Sequence, residues 1–567
     1  MAQNGLTTQE NLFRMLAQLM VVGYSGKTLG EVTKRFIDLG VGGLIFFREN
    51  FQHCQSPAEI KKITQGLYEC FPADCLTPLF SIDQEGGQVE RLPHTCFPTG
   101  PNPLALALSE NPESLAKNYY ETMARQLVDL GFWCNFFPTV DLNSNPDNPI
   151  IGVRSFGDNP ETVQRLSGLA LQQFKNNGLI GVAKHFPGHG NGQVDSHLDL
   201  PVIHFSPEEM ACFQHSIQHD VPGVLVAHAL YPELQPSSEL DAHCPASASP
   251  TILNDILRRR CGFSGVIFSD DMCMGAITRY QSAPEAAVAA IQAGIDMLIY
   301  KQSTKAEWTV LETLIAKVSA GEIPLAQITD SVARIEALKQ RYSMTQQGLK
   351  QPSIKITTPP PSGTVPDSDE MALEFAHQAT TVVKASRINT TAFTGNNTLE
   401  PTFQGILRNA RILLIHPDRG SIVNYAFDSP TSPDLDTVLT TLGFANVTSI
   451  PYNVTASTET ECQLSRLLSR PLEKLASIGN PTVGNLTGWD WFVFVTFTPT
   501  IHRGQVDLFQ QLYQKCPAEN HLVVSAGMPT PVDGIHEHCS THIVMASYRP
   551  AAMTALAECL LNPNSVL

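Results

Sequence analysis

Short apolar runs punctuate the first 345 residues, at 20–24, 43–47, 79–83, 133–140, 180–183, 223–227, 265–268 and 295–300. Each has the length and flanks of a buried strand. The segments between them carry apolar residues at helical spacing, as at 10–19, 112–130, 160–177, 207–219 and 284–293. Strands alternating with helices, eight times over, predict an α/β fold of the (β/α)8 TIM-like barrel kind across residues 1–345. A region of roughly 340 residues suits such a barrel with long loops. An open doubly wound sheet shares the alternation and also binds ligands at strand ends, so the pattern favours an α/β enzyme more strongly than it proves closure.

The pattern breaks at 346–370, where PSIKITTPPPSGTVPDSD is rich in proline, serine and threonine and has little apolar periodicity. This reads as a linker, stiffened at Pro359-Pro360-Pro361. Residues 371–567 then read as a second, smaller α/β domain. Its expected strands are 412–415, 447–450, 491–497, 521–525 and 543–546, and its expected helices 504–514 and 551–561. Asp418-Arg419-Gly420 is a turn after a strand. Neither a phosphate-binding loop nor a dinucleotide fingerprint is present, so this half is expected to support or cover the first rather than to run its own chemistry.

Composition narrows the function. A formal charge of -17, from 54 acidic and 37 basic residues, leaves no general basic footprint for nucleic acid. With 43% hydrophobic residues the chain builds cores without disulfides or metals. Thirteen cysteines, scattered and without a C-x-x-C pair, fit a reducing compartment. The first 16 residues lack a secretory pattern, the apolar stretch 16–24 is too short to span a bilayer, and no later apolar stretch reaches about 18 residues. A soluble, cytoplasmic protein without a membrane partner is expected.

The polar clusters fall where a barrel would gather its active site. Asp83-Gln84-Glu85-Gly86-Gly87 follows the third run, Lys184-His185 the fifth, His228 the sixth and Asp270-Asp271 the seventh. An ionised carboxylate such as Asp270 can attack an electrophilic sugar carbon. Asp270 and Asp271 are not expected to aim alike, because successive strand side chains point to opposite faces. In the loop that follows Lys184, Asp195 can orient and raise the basicity of His197, the best candidate for a general acid and base. Asp83 can accept from neighbouring hydroxyls, while Arg154, Lys184 and His185 can donate to them. Glu85 and Arg91 are expected to form an internal support pair. His185, His189, His197 and His204 invite a competing zinc reading, but their spacing matches no short zinc signature.

Four segments in order carry a family resemblance: SIDQEGGQVERL at 81–92, IIGVRSFG at 150–157, KHFPGHGNGQVDSH at 184–197 and GVIFSDDM at 265–272. Together they resemble the glycoside hydrolase family 3 β-N-acetylglucosaminidases, the subgroup that includes bacterial muropeptide-recycling enzymes. The resemblance is strong over about residues 10–345 and weaker beyond, where some members carry an α/β sandwich domain. It implies Asp270 as nucleophile and His197 as acid/base with Asp195 as its partner. Asp83, Arg154, Lys184 and His185 would hold the terminal sugar. It further implies a retaining exo-β-N-acetylglucosaminidase (a β-N-acetylhexosaminidase) that needs no metal or other cofactor and acts on small carbohydrates or muropeptides. The alternatives are an N-acetylglucosaminide phosphorylase, since a histidine acid/base repels an incoming phosphate less than a carboxylate does, and a catalytically silent carbohydrate-binding protein. No catalytic glutamate is expected after residue 370, because Asp195-Ser196-His197 fills that role.

Overall fold

Eight strands close into a parallel barrel in sequence order, β1 Met20–Val22, β2 Gly43–Phe46, β3 Leu79–Ile82, β4 Cys134–Asn135, β5 Ile180–Phe186, β6 Gly223–Val226, β7 Val266–Asp271 and β8 Met297–Tyr300, with β8 pairing back onto β1. The structure, a computed structural model, describes residues 8–342 except His94, Thr99, Pro146, Asp147, Pro149, Val194, Asp195, His197, Leu198 and Ala242. It also describes Phe375 and six later strands. All eight expected strands are present, and the ring is closed rather than open.

Every residue of seven barrel strands is buried, as expected where helices cover the outside and side chains fill the inside. Only β7 departs, becoming half-buried at Asp270 and Asp271. The polar end of that strand therefore opens toward solvent while its apolar body, Val266 to Ser269, stays in the core.

Three strands differ from their expected bounds by three residues or more at one end, and one of these is β7, which runs on past 268 to Asp271. The run at 133–140 yields only Cys134–Asn135, because Pro138 has no N–H to continue a ladder. Pairing resumes as a single parallel bridge between Thr139 and Lys184, with Pro138 O accepting from the Lys184 N–H. Conversely β5 runs on to Phe186, so Lys184 and His185 are strand residues rather than the start of the loop.

The surrounding helices begin on caps written into the sequence. Asn159 accepts from the Thr162 N–H ahead of Pro160–Asn176, and Ser206 accepts from the Glu209 N–H ahead of Pro207–Gln218. Thr304 and Glu307 form a capping box before Lys305–Ser319. Each helix packs an apolar face on the barrel, Val163, Leu166, Ala170 and Phe174 being buried in the first of these. Among the described residues no helix is long and apolar enough to cross a membrane.

The chain divides into two compact units. The second contains a six-stranded sheet in the order β11-β10-β12-β13-β14-β9: Asn446–Tyr452, Arg411–Pro417, Trp491–Thr496, Asn520–Ser525, Thr541–Val544 and Thr381–Ala385. Five strands match the expected ones and run parallel. The sixth, β9, was not expected, and joins the edge antiparallel to β14. The linker at 346–370 and the helices expected at 504–514 and 551–561 lie outside the described residues.

Candidate active site

A single buried carboxylate ties together residues from three strand ends. Glu85 is fully buried just after β3 and accepts from Arg154 Nε at 2.9 Å and Nη2 at 2.8 Å, a bidentate pair. Lys184 Nζ, on β5, lies 2.6 Å from the same carboxylate and donates at 2.9 Å to Asp83. Burial alone would raise the Glu85 carboxyl, but the charges and hydrogen bonds of Arg154 and Lys184 outweigh it and hold it well below the usual range. Burial pulls the Arg154 guanidinium down and Glu85 pulls it up more strongly, so both partners are charged. The cluster is a preorganised set of cationic donors with their anion already in place.

Arg91 stands elsewhere than expected. Its guanidinium faces Asp83 at 3.8 Å, while Glu85 is taken by Arg154 and Lys184, so the expected Glu85 and Arg91 support pair is replaced by three different pairs. The turn that allows this is held by Gln84, whose side-chain oxygen accepts from the Arg91 N–H and whose backbone exchanges two hydrogen bonds with Asn135. Gly86 and Gly87 occupy φ values of 104° and 65°, a region that disfavours any side chain.

Arg154 reaches the cluster from a short 3-10 turn, Gly152–Arg154, and also faces His185 Nε2 at 3.4 Å. The other ring nitrogen of His185, Nδ1, is 2.7 Å from Asp141 Oδ2. Because a guanidinium has no acceptor, the partners assign the proton to Nδ1, which donates to Asp141. Asp141 is fully buried and accepts in addition from the backbone N–H groups of His185 and His189. Burial would raise its carboxyl, and the His185 imidazole leads the groups that hold it low.

The four expected sugar-binding residues, Asp83, Arg154, Lys184 and His185, are thus brought into one connected network. Asp270 lies two strands along the ring, at the C-terminal end of β7. Its neighbour Asp271 turns to the backbone instead, accepting from the N–H groups of Cys273 and Lys301 at 3.0 Å each, with burial pushing its carboxyl up. Asp195 and His197 lie outside the described residues. Ser196 between them is buried, and its carbonyl accepts from the Ala276 N–H, in the segment that follows β7.

Three of the four histidines of the zinc reading are described, and these three do not gather. His204 is exposed and pairs with Glu233 at 2.7 Å, and His185 is committed to Asp141. His189 is buried with its ring 5.9 Å from that of His185. Burial, then the nearby His185, bring the His189 imidazole down to about 4, so it is neutral at pH 7. Among the described residues no group of three or more His, Cys, Asp or Glu is placed to hold a metal ion.

Sequence reasoning missed Asp141 and Glu209. Asp141 follows the run at 133–140 and was open to the same strand-end logic that finds Asp83. Glu209 sits in the first turn of its helix, where an acid looks like nothing more than a dipole partner.

Residues 12–338 match the glycosyl hydrolase family 3 N terminal domain. The chain is 32% identical over 335 residues to beta-hexosaminidase LpqI of Mycobacterium tuberculosis (strain ATCC 25618 / H37Rv), covering 57% of this chain and 81% of that protein. It is 31% identical over 343 residues to beta-hexosaminidase A of Pseudoalteromonas piscicida, where the match spans 57% of this chain but only 56% of the relative. Among solved structures, a glycoside hydrolase family 3 beta-N-acetylglucosaminidase from Paenibacillus sp. str. FPU-7 superposes with a TM-score of 0.78 at 27% identity. That superposition covers 98% of this chain and 97% of the other.

Proposed function

The chain belongs to glycosyl hydrolase family 3, and from that membership we propose that it is a retaining exo-β-N-acetylglucosaminidase acting on β-linked glycosides, with cytoplasmic peptidoglycan fragments as natural substrates. The observation that carries this reading is one half-buried carboxylate, Asp270, on the same barrel rim as the buried donors Arg154, Lys184 and His185. The donors suit the hydroxyls of a terminal sugar, and Asp83 supplies an acceptor beside them. The similarity to proteins named beta-hexosaminidase supports the choice of N-acetylated sugar.

The reaction runs in two steps. An Asp270 carboxylate oxygen bonds to the anomeric carbon as the bond from that carbon to the aglycone oxygen breaks, and His197 gives its proton to the departing oxygen. Water then attacks the same carbon and passes a proton to His197 while the bond to Asp270 breaks, restoring the β configuration. Asp195 orients His197 through both steps. The acid/base role in this reading falls to His197, not to a glutamate after residue 370.

Purified protein with no added metal is expected to release 4-nitrophenol from 4-nitrophenyl N-acetyl-β-glucosaminide. NMR in phosphate buffer should show free β-N-acetylglucosamine forming first. A folded protein inert toward both this glycoside and N-acetylglucosaminyl muropeptides overturns the reading. Accumulation of the sugar 1-phosphate would reassign the enzyme as a phosphorylase.

A further inference from the structure

The carboxyl group of Glu209 lies behind the sugar-binding cluster. It projects from the helix Pro207–Gln218, is almost wholly buried, and touches two other chain segments at once. Its Oε1 accepts from the Gly190 N–H at 2.7 Å and from the Leu142 N–H at 3.3 Å. Leu142 directly follows Asp141, and Gly190 directly follows His189, whose own N–H donates to Asp141 at 2.8 Å. One oxygen therefore grips the backbone on both sides of the carboxylate that holds His185.

The glycines of this turn are shaped to that grip. A Cβ at Gly188 would stand 2.7 Å from Glu209 Oε2, and one at Gly190 would meet Leu142 O at 1.4 Å and Glu209 Oε1 at 2.6 Å. Gly188 also adopts φ 134°, and its carbonyl accepts from the Tyr231 hydroxyl at 2.7 Å. The turn at 188–190 is thus packed against a side chain that comes from outside the loop.

We propose that Glu209 is a positioning residue which clamps the turn at 188–190 to the segment after β4 and, through Asp141, fixes the ring of His185 for substrate. The inference rests on the reading above, in which His185 holds the terminal sugar. Burial, and then the charge of Asp141, push the Glu209 carboxyl up to about 8, so it is largely protonated at neutral pH. Glutamine keeps the carbonyl oxygen that accepts both N–H groups and is a close mimic of that neutral acid. Leucine fills similar space and accepts nothing. Aspartate withdraws the acceptor by one methylene.

Kinetics with 4-nitrophenyl N-acetyl-β-glucosaminide on the full chain test the clamp. Glu209→Leu is expected to lower kcat/KM about 10- to 100-fold, the scale of a misplaced binding group, while Glu209→Gln stays within about threefold. In a His185→Ala background Glu209→Leu is expected to add less than about twofold, since residues acting through one another are not additive. A merely structural role would leave the two losses multiplicative. If Glu209→Leu fails to fold, Glu209→Asp replaces it in the cycle with the same expected non-additivity. Multiplicative losses, or a Glu209→Gln protein as impaired as Glu209→Leu, overturn the clamp. A His185→Ala protein with wild-type kcat/KM sinks the reading of the sugar site itself, an outcome distinct from failure of the clamp.

Discussion

Asp270→Ala is expected to lower kcat on 4-nitrophenyl N-acetyl-β-glucosaminide by about 10⁴-fold, within the range seen when a residue that makes or breaks the reacting bond is removed. The side chain is half-buried at the open end of β7, so its loss leaves no large cavity, and the core below it, Val266 to Ser269, is untouched. KM should change far less than kcat, because Asp83, Arg154, Lys184 and His185 stay in place to bind the sugar. Azide, small enough to enter the space vacated by the carboxylate, should restore turnover and yield a glycosyl azide of α configuration, since one inversion replaces two. Asp271→Ala is the contrasting variant. Asp271 accepts from the backbone of Cys273 and Lys301, so its replacement should weaken folding at the rim rather than abolish chemistry. An Asp270→Ala protein within tenfold of wild type, or one whose azide product is β, would remove Asp270 from the role of nucleophile.

Glu85→Ala is expected to cost about 3–5 kcal/mol of stability in urea unfolding, the usual penalty for breaking a buried ion pair by deleting one partner. Here a single deletion takes the paired carboxylate from Arg154 and leaves Lys184 with Asp83 alone, both cations being almost wholly buried. Against the 5–15 kcal/mol that holds a typical domain, about 3–5 kcal/mol brings the barrel close to unfolding. The same group sets part of the acid sensitivity. Its carboxyl in the folded state lies below the unfolded value of 4.5, so its contribution is complete above that value and fades as pH falls below it. Glu85→Gln should therefore be less stable near neutrality and show a flatter decline on acidification. A variant as stable as wild type at pH 7 would mean that water, not Glu85, balances these cations.

The barrel was legible because its strands are local events: eight apolar runs, bounded by turns, each long enough to bury itself. β9 escaped notice because TVVKA at 381–385 is a short run in a stretch without periodicity, and its place beside β14 is a matter of long-range pairing. β4 read too long because an apolar run says nothing about the N–H that Pro138 lacks. The positions of Asp83, Lys184, His185 and Asp270 were foreseeable from strand ends and that of Arg154 from the segment IIGVRSFG, but their partners were not. Glu85 chose Arg154, 69 residues away, over Arg91, six residues away, because the turn at Gly86 and Gly87 carries Arg91 toward Asp83. Glu209 shows the limit most plainly. Its helix cap was visible in Ser206, whereas its grip on Gly190 and Leu142 exists only once three separate segments meet.

The hydrogen bond from the Ala276 N–H to Ser196 O gives the loop proposed to carry the acid/base a clock. That proton exchanges with deuterium only when the carbonyl leaves it, so its exchange rate counts how often the chain between Asp195 and His197 lifts from the segment after β7. A peptide spanning Ala276, followed by mass spectrometry, reads that opening without a substrate, a label or a mutation. His197 and Asp270, the residues proposed for proton transfer and nucleophilic attack, are borne on segments that this amide helps to join, together with the hydrogen bond from the Tyr280 hydroxyl to Asp199, so its opening bears on how long the two stay aligned.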